Sequence, residues 1–298
     1  MPLTLNAICL LPRDLRDALL RRLARVNDAD LAGIEVKLAE TEAELFESTR
    51  LLHATYVARG LIDPKPSGIR STPHQLLPST TTFIARRGAE TVGTLSLVVD
   101  SPLGLPMEKA FPEEVAAIRA PGRVAAEVGA LCVANGLRRR GVSYLLSKIM
   151  FRCAGEVCGV DDLLISVVPP ADELYRACRL FRRLGPERHH PSVRRGVVTV
   201  PMTLDLRTAP AQYRHAFGEQ PTGDNPYYCY LRDEPQVRMP AADDLARARK
   251  ARRLAAARLA LACTTGLEAL DVVQLRHLLK AAGAPSLAAR IRAAEGGH

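Results

Sequence analysis

Three consecutive arginines, Arg138, Arg139 and Arg140, stand directly before Gly141, Val142 and Ser143 in the stretch CVANGLRRRGVSYLLSKIMFRC, which then runs on as an apolar-periodic helix. A helix start already carries partial positive charge, so an isolated arginine there costs about 0.3–1 kcal/mol, and three in a row point to an anion held among them. Glycine lets a ligand approach the main chain closely, the N–H groups of the helix start converge on it, and guanidinium groups neutralise it. Phosphate binding is the chemistry this spacing suits, with a solvated basic helix start as the plainer alternative. A second chemical residue lies just upstream. Glu127 sits inside RVAAEVGALCV, and a carboxylate embedded in an apolar strand has a raised pKa and can act as a general base, unless it simply faces solvent from a one-sided strand. Cys132 follows on the same strand, but no histidine stands near it in sequence to activate a nucleophile, so core packing is the expected role. His189 and His190 resemble a metal pair without a third ligand at sensible spacing, and no metal is expected.

The elements that must position these residues can be read from periodicity. Residues 12–26 repeat Leu at helical spacing, AGIEVKLAE alternates like a strand, and the next helix opens on Thr41 with Glu44 three residues on, a capping box. TTFIARRGAETVGTLSLVVD predicts a hairpin turning near Arg87 to Glu90. Strands before and after the RRRGVS helix predict a β-α-β crossover within a mixed sheet, followed by a helix over ADELYRACRLFRRLG closed by Gly185 and a last strand, RRGVVTVPMTLDL. From about residue 208 a Tyr-rich link, DNPYYCYLRDEP, leads into an Ala/Leu/Arg-rich helical region. The expected organisation is a helical extension over 1–32, a core over 33–207 and a link plus helical appendage over 208–298.

Composition sets the surroundings. The chain has 298 residues, 47% of them hydrophobic, and a formal net charge of +9, which suits acidic partners. Aromatic residues are only 4% and Trp is absent, so stacking platforms for single-stranded nucleic acid are poorly supplied. Seven cysteines at irregular spacing form no CxxC pair and read as reduced core thiols of a cytoplasmic protein. LNAICLL is too short for a signal core, and no run approaches the ~20 apolar residues of a membrane span.

With these residues in place the chain resembles a known family. Arg138-x-x-Gly141-x-Ser143 after EVGALCVAN looks like the pantetheine-phosphate loop of the GCN5-related N-acetyltransferase (GNAT) superfamily, with Ser143 a mild departure from the usual Gly or Ala. TTFIARRGAETVGTLSLVVDSPLGLPMEKAF, EVGALCV and LFRRLGPERHHPSV…VPMTLDL are similar to the bacterial N-acyl amino acid synthases, relatives of the acyl-homoserine-lactone synthases, over roughly residues 33–206. The resemblance implies a GNAT-like α/β fold, a mixed central sheet flanked by helices, plus the C-terminal appendage. It implies transfer of a long fatty acyl chain from acyl carrier protein, through a phosphopantetheine-linked thioester, to the α-amine of a small amino-acid acceptor, with no tightly bound cofactor. Glu127 then matches the proposed base of the related lactone synthases. Backbone N–H groups at Leu131, Cys132 and Val133 would hold the thioester carbonyl, and Arg138 to Ser143 the phosphate. Asp100 would bind the acceptor ammonium, unless it only shapes the turn before Ser-Pro. Lys148, Arg152, Arg179, Arg182 and Arg183, at helical intervals, would dock the acidic carrier. Phe181 occupies the position where many relatives carry a Tyr general acid, which leaves water or protonated Glu127 to protonate the thiolate. Leu52 stands where the lactone synthases would have Arg, which argues against lactone formation and S-adenosylmethionine use. An acyl-CoA-dependent acetyltransferase and a non-enzymatic basic binder of nucleic acid or lipid surface, built on the tail LARARKARRLAAARLALA, are the competing readings. No nucleic-acid partner is expected; contact with a membrane surface through the lipid product, and homo-oligomerisation, are compatible with the reading.

Overall fold

The structure, a computed structural model, describes residues 5–23, 31–138, 140–169, 171–191, 197–218, 236–262 and 270–282. Two short helices, α1 (Leu5–Cys9) and α2 (Arg13–Leu23), precede β1 (Ile34–Leu38). Thr41 then starts α3 (Glu42–Ala58) by the expected reciprocal cap: its Oγ1 accepts the Glu44 N–H at 3.2 Å while Glu44 Oε2 accepts the Thr41 N–H at 3.2 Å. The hairpin β2 (Thr81–Arg87) and β3 (Glu90–Val99) turns where the sequence predicts. A Pro-initiated 3-10 turn, Pro106–Lys109, and α4 (Pro112–Arg119) lead into β4 (Ala125–Val133). The crossover helix α5 (Val142–Arg152), which ends in a π turn at Cys153–Val157, is followed by β5 (Asp162–Val167) and α6 (Ala171–Arg179). Two-residue strands β6 (Arg182–Arg183) and β7 (Arg188–His189), then β8 (Val198–Asp205), lie within the expected core; α7 (Ala209–Phe217), beyond its expected boundary at 207, packs Ala209, Tyr213 and Phe217 into the same core.

The sheet runs β1-β2-β3-β4-β5-β8-β6, with β7 also on β8; every pairing is antiparallel except β4 with β5, the crossover pair. This is the mixed sheet flanked by helices that the sequence predicts. Both faces are covered. Phe83, Ala85, Leu95 and Leu97 pack with Val142, Leu145, Leu146 and Ile149 of α5, and Ile84 packs on the other face with Leu45, Phe46, Ala255 and Leu259. Near-continuous burial along β2 and β3 follows from that double cover.

One predicted element differs. The helix over ADELYRACRLFRRLG ends at Arg179 and does not reach Gly185, because Leu180 takes a left-handed backbone (φ 54°). Arg182 and Arg183 then pair with Thr203 and Met202 of β8. The apolar Phe181 and Leu184 had continued the helical spacing by coincidence.

The C-terminal helices α8 (Ala242–Ala262) and α9 (Val272–Ala282) supply one wall of the core. Arg252 of α8 is almost fully buried, and its guanidinium donates to the Gln75 carbonyl and to Thr82 Oγ1, both at 2.6 Å. Just before α8, Val36 of the edge strand β1 exchanges backbone bonds with Gln236 and Arg238 at 2.7 and 2.9 Å, so the open edge is covered. The Tyr-rich link lies outside the described residues.

Candidate active site

β4 is the element around which the candidate residues gather. Its parallel pairing with β5 joins Ala125 to Asp162, Ala126 to Leu163 and Glu127 to Leu164, and stops there. Beyond Glu127 the two strands part. On its other side β4 stays paired with β3, but Leu95 alone faces two residues, Ala130 and Leu131, between the Ser96–Gly129 and Thr94–Cys132 pairs. Ala130 is left-handed there (φ 53°), a conformation that costs a non-glycine residue about 1 kcal/mol or more, and with Leu131 it forms a bulge that interrupts the ladder before pairing resumes at Thr94–Cys132 and Gly93–Val133. Of the three proposed carbonyl-holding residues, Leu131 lies in this bulge, and Cys132 and Val133 follow it, paired with Thr94 and Gly93 of β3.

Glu127 stands where the gap opens. It is 6% exposed, and Oε2 accepts the Met107 N–H at 2.6 Å. Burial pushes its carboxyl up to about 8, against a smaller downward pull from that hydrogen bond. The group therefore titrates close to neutral pH, the range in which a side chain both accepts and returns a proton efficiently. The solvent-facing alternative for Glu127 does not hold. Met107 comes from a segment, LPMEKAFP, whose two prolines disguised a 3-10 turn that presents a backbone N–H.

Cys132 is buried and its thiol is pushed up to about 11, mainly by burial. That keeps it protonated, as a packing thiol should be.

The arginine loop is built as a helix start. A 3-10 turn, Asn135–Leu137, precedes Gly141, whose φ of 82° only glycine adopts freely, and the Gly141 carbonyl accepts from Tyr144 and Leu145 at 2.8 and 3.1 Å. The N–H groups of Val142 and Ser143 belong to the first turn, which has no intrahelical acceptors. Nε and Nη2 of Arg138 are buried and make no hydrogen bond among the described residues, a donor edge that matches an anion's oxygens. Arg140 is exposed, and Arg139 lies outside the described residues.

Two expectations are corrected. Lys148 is 0% exposed, since Leu145 to Met150 are all buried in an α5 that is enclosed nearly all round, so it cannot form part of a carrier-docking surface. Asp100 is already engaged as a brace: both its oxygens take the Arg119 guanidinium, at 2.6 and 2.8 Å, tying the end of β3 to α4, so an acceptor ammonium would have to displace an arginine. Of the remaining docking candidates, Arg152 pairs with Glu156 at 2.9 Å, Arg179 donates to Ser147 Oγ at 2.6 Å, Arg183 pairs with Asp172, and Arg182 is exposed.

A basic group that sequence reasoning missed flanks β4. Arg70 is buried and lies over the Tyr56 ring, 4.6 Å from its centroid. Burial raises the Tyr56 hydroxyl's pKa, with Cys132 of β4 adding to the effect, which places the ring beside the strand. His190 is pushed down to about 4 by burial and by the positive charges of Arg70 and Lys109. His74 is likewise held at about 4, chiefly by burial, with Lys109 contributing. Apart from Tyr56 of α3, these residues come from loops and 3-10 turns with no shared periodicity, so no sequence spacing links them.

Residues 47–205 match the family model described as N-acyl amino acid synthase FeeM. Among solved structures, FeeM, an N-acyl amino acid synthase from uncultured soil microbes, matches with 25% identity and a TM-score of 0.54, over 61% of this chain and 96% of that one. A CoA-dependent acyl-homoserine lactone synthase, MesI, matches with 16% identity and a TM-score of 0.47, over 68% of this chain and 98% of that one. The acyl-homoserine lactone synthase LasI matches with 15% identity and a TM-score of 0.42, over 59% and 92%. No curated protein matches the chain. Among the described residues no helix is long and apolar enough to cross a membrane.

Proposed function

The chain belongs to the N-acyl amino acid synthase family, and from that premise we propose that this acyltransferase moves a long-chain fatty acyl group from the phosphopantetheine thioester of acyl carrier protein to the α-amine of an amino acid. The observation that carries the reading is the buried Glu127 at the point where β4 and β5 part. In its ionised form Glu127 takes a proton from the acceptor's ammonium or from the attacking amine, directly or through water. The amine nitrogen bonds to the thioester carbon, and the oxygen that gains negative charge is met by N–H groups at Leu131 to Val133. The C–S bond then breaks. With Phe181 where relatives carry a phenol, the departing thiolate takes its proton from protonated Glu127 or from water.

Arg138, Arg140 and the N–H groups of the α5 start would hold the pantetheine phosphate. Exposed Arg140 and Arg182, and Arg183 with more than half of its side chain exposed, would meet the acidic carrier. Arg70 and Lys109, beside β4 and the Glu127-binding turn, supply positive charge suited to the acceptor's α-carboxylate. A donor arriving on an acidic carrier is steered by long-range charge, whereas free acyl-CoA depends mainly on local phosphate contacts, so salt separates the two.

The test uses one acyl chain, on carrier protein and on CoA, against a panel of amino acids, with products identified by mass spectrometry. kcat/KM should be higher with the carrier and that advantage should shrink between low salt and about half-molar salt. Equal efficiency for both donors at every salt concentration would move the protein to acyl-CoA use. Failure to acylate any amino acid with either donor would remove the amino-acid acceptor.

A further inference from the structure

The cysteines that the sequence assigned to the reduced core include one pair the fold brings together. α5 does not stop cleanly at Arg152; its last turn widens over Cys153–Val157, and the Cys158 N–H donates to the Cys153 carbonyl at 2.9 Å. A turn of that width sets residues five apart one above the other. The two sulfurs lie 4.0 Å apart. We propose that Cys153 and Cys158 form a reversible dithiol/disulfide pair, with Cys158 the sulfur that hydrogen peroxide oxidises and Cys153 the sulfur that resolves it.

Burial divides the two roles. Cys153 is 0% exposed within the main core, out of reach of an oxidant, while Cys158 is half-buried at its edge. Electrostatics divides them the same way. The Cys153 thiol donates to the Cys158 sulfur, and Arg249 of α8 adds positive charge nearby, so the Cys158 thiol is held below its ordinary pKa. Its neighbour's negative charge and burial hold the Cys153 proton in place. The Cys158 thiolate attacks one peroxide oxygen, the O–O bond breaks, and hydroxide leaves to give a sulfenic acid. Cys153 sulfur then attacks Cys158 sulfur; the S–S bond forms, the S–OH bond breaks, and water leaves with the Cys153 proton. The balance is two thiols and one peroxide to one disulfide and two waters. Cys132 and Cys178 are buried, with thiols pushed up to about 11, and serve as internal controls.

The test is peroxide titration of the folded full-length protein, followed by denaturation, alkylation, trypsin and mass spectrometry. Both sulfurs fall in one tryptic peptide, Cys153 to Arg176. That peptide should lose two hydrogen masses and become at least about tenfold less alkylated before Cys132 or Cys178 reacts, and dithiothreitol should restore it. In Cys153→Ser, dimedone should trap a sulfenic acid on Cys158. Should that variant fail to fold, the wild-type peptide decides alone. Undiminished alkylation of both thiols at peroxide concentrations that already oxidise the control cysteines overturns the proposal. So does direct passage of Cys158 to the sulfinic acid with Cys153 still alkylated.

Discussion

At neutral pH the Glu127 carboxyl holds a proton that the same residue would have lost in an unfolded chain, because its folded pKa is about 8 against an ordinary 4.5. Between those two values the folded state binds more protons than the unfolded one, so this residue makes stability fall as pH rises from about 4.5 through about 8. Glu127→Gln keeps the side chain's shape and removes the ionisation. Its melting temperature should match wild type near pH 4.5 and exceed it at pH 9, and acyl transfer should drop by roughly 10²-fold or more, the scale of a lost general base. The wild-type rate should climb with pH to an inflection near 8, set by the same group. A variant turning over within a few-fold of wild type from pH 6 to 9 would remove Glu127 from the mechanism. The residue stood out in sequence as the one carboxylate in AAEVGALCV, but the solvent-facing alternative stayed open there, and its burial decides between the two. Its partner at Met107 and the stacked Arg70 were not legible, since Met107 lies in a 3-10 turn and Arg70 in a loop, and no periodicity ties either to its partner on β4 or α3. Asp100 misled for the related reason that Arg119, its actual partner, lies in a separate helix.

The position of the arginine loop depends on how closely α5 sits on the sheet. Gly93 of β3 makes that approach: a Cβ there would meet side-chain carbons of Leu146 and Val142 at 3.1 Å and of Ala85 at 3.2 Å. Gly93→Val should therefore cost about 1–3 kcal/mol by overpacking and push the start of α5 outward, raising the KM of the thioester donor more than that of the amino acid. Circular dichroism melts and donor titrations measure the two effects, and an unchanged donor KM in a destabilised variant would detach the loop from donor binding. Gly141→Ala acts more locally. Holding φ near 82° without glycine costs about 1 kcal/mol, and a similar bias toward the donor KM is expected, with the core packing left intact. Elements whose boundaries are set by local chemistry were readable in advance: the Thr41 cap and the hairpin turn. The end of α6 was not, because only tertiary pairing with β8 explains why Leu180 turns left-handed and Arg182 enters a strand.

Across the whole molecule, α8 is fastened by a buried arginine whose hydrogen bonds among the described residues go to neutral oxygens, those of Gln75 and Thr82. Burial alone lowers its pKa, to about 10, so the charge persists in the core at neutral pH. Arg252→Ala should destabilise by about 2–4 kcal/mol, since it leaves a carbonyl and a hydroxyl without their donor and opens a cavity. Arg258→Ala, which loses an exposed contact over the Phe46 ring at 4.3 Å, should cost about 1 kcal/mol or less. Denaturant melts of the two variants make the comparison, and equal losses would show that α8 rests on the sheet by apolar packing alone. From sequence the tail read as helical, but nothing in LARARKARRLAAARLALA marks Arg252 out from the arginines around it, four of which are exposed. The contacts of Arg252 bridge 177 and 170 residues. During synthesis the sheet face bearing Ile84, with Leu76 and Leu77 beside it, thus leaves the ribosome long before the helix that covers it has been translated. At about 5–20 residues per second that face waits on the order of ten seconds or more, an interval in which chaperone capture competes with folding and in which a chain released early exposes a greasy surface to its neighbours.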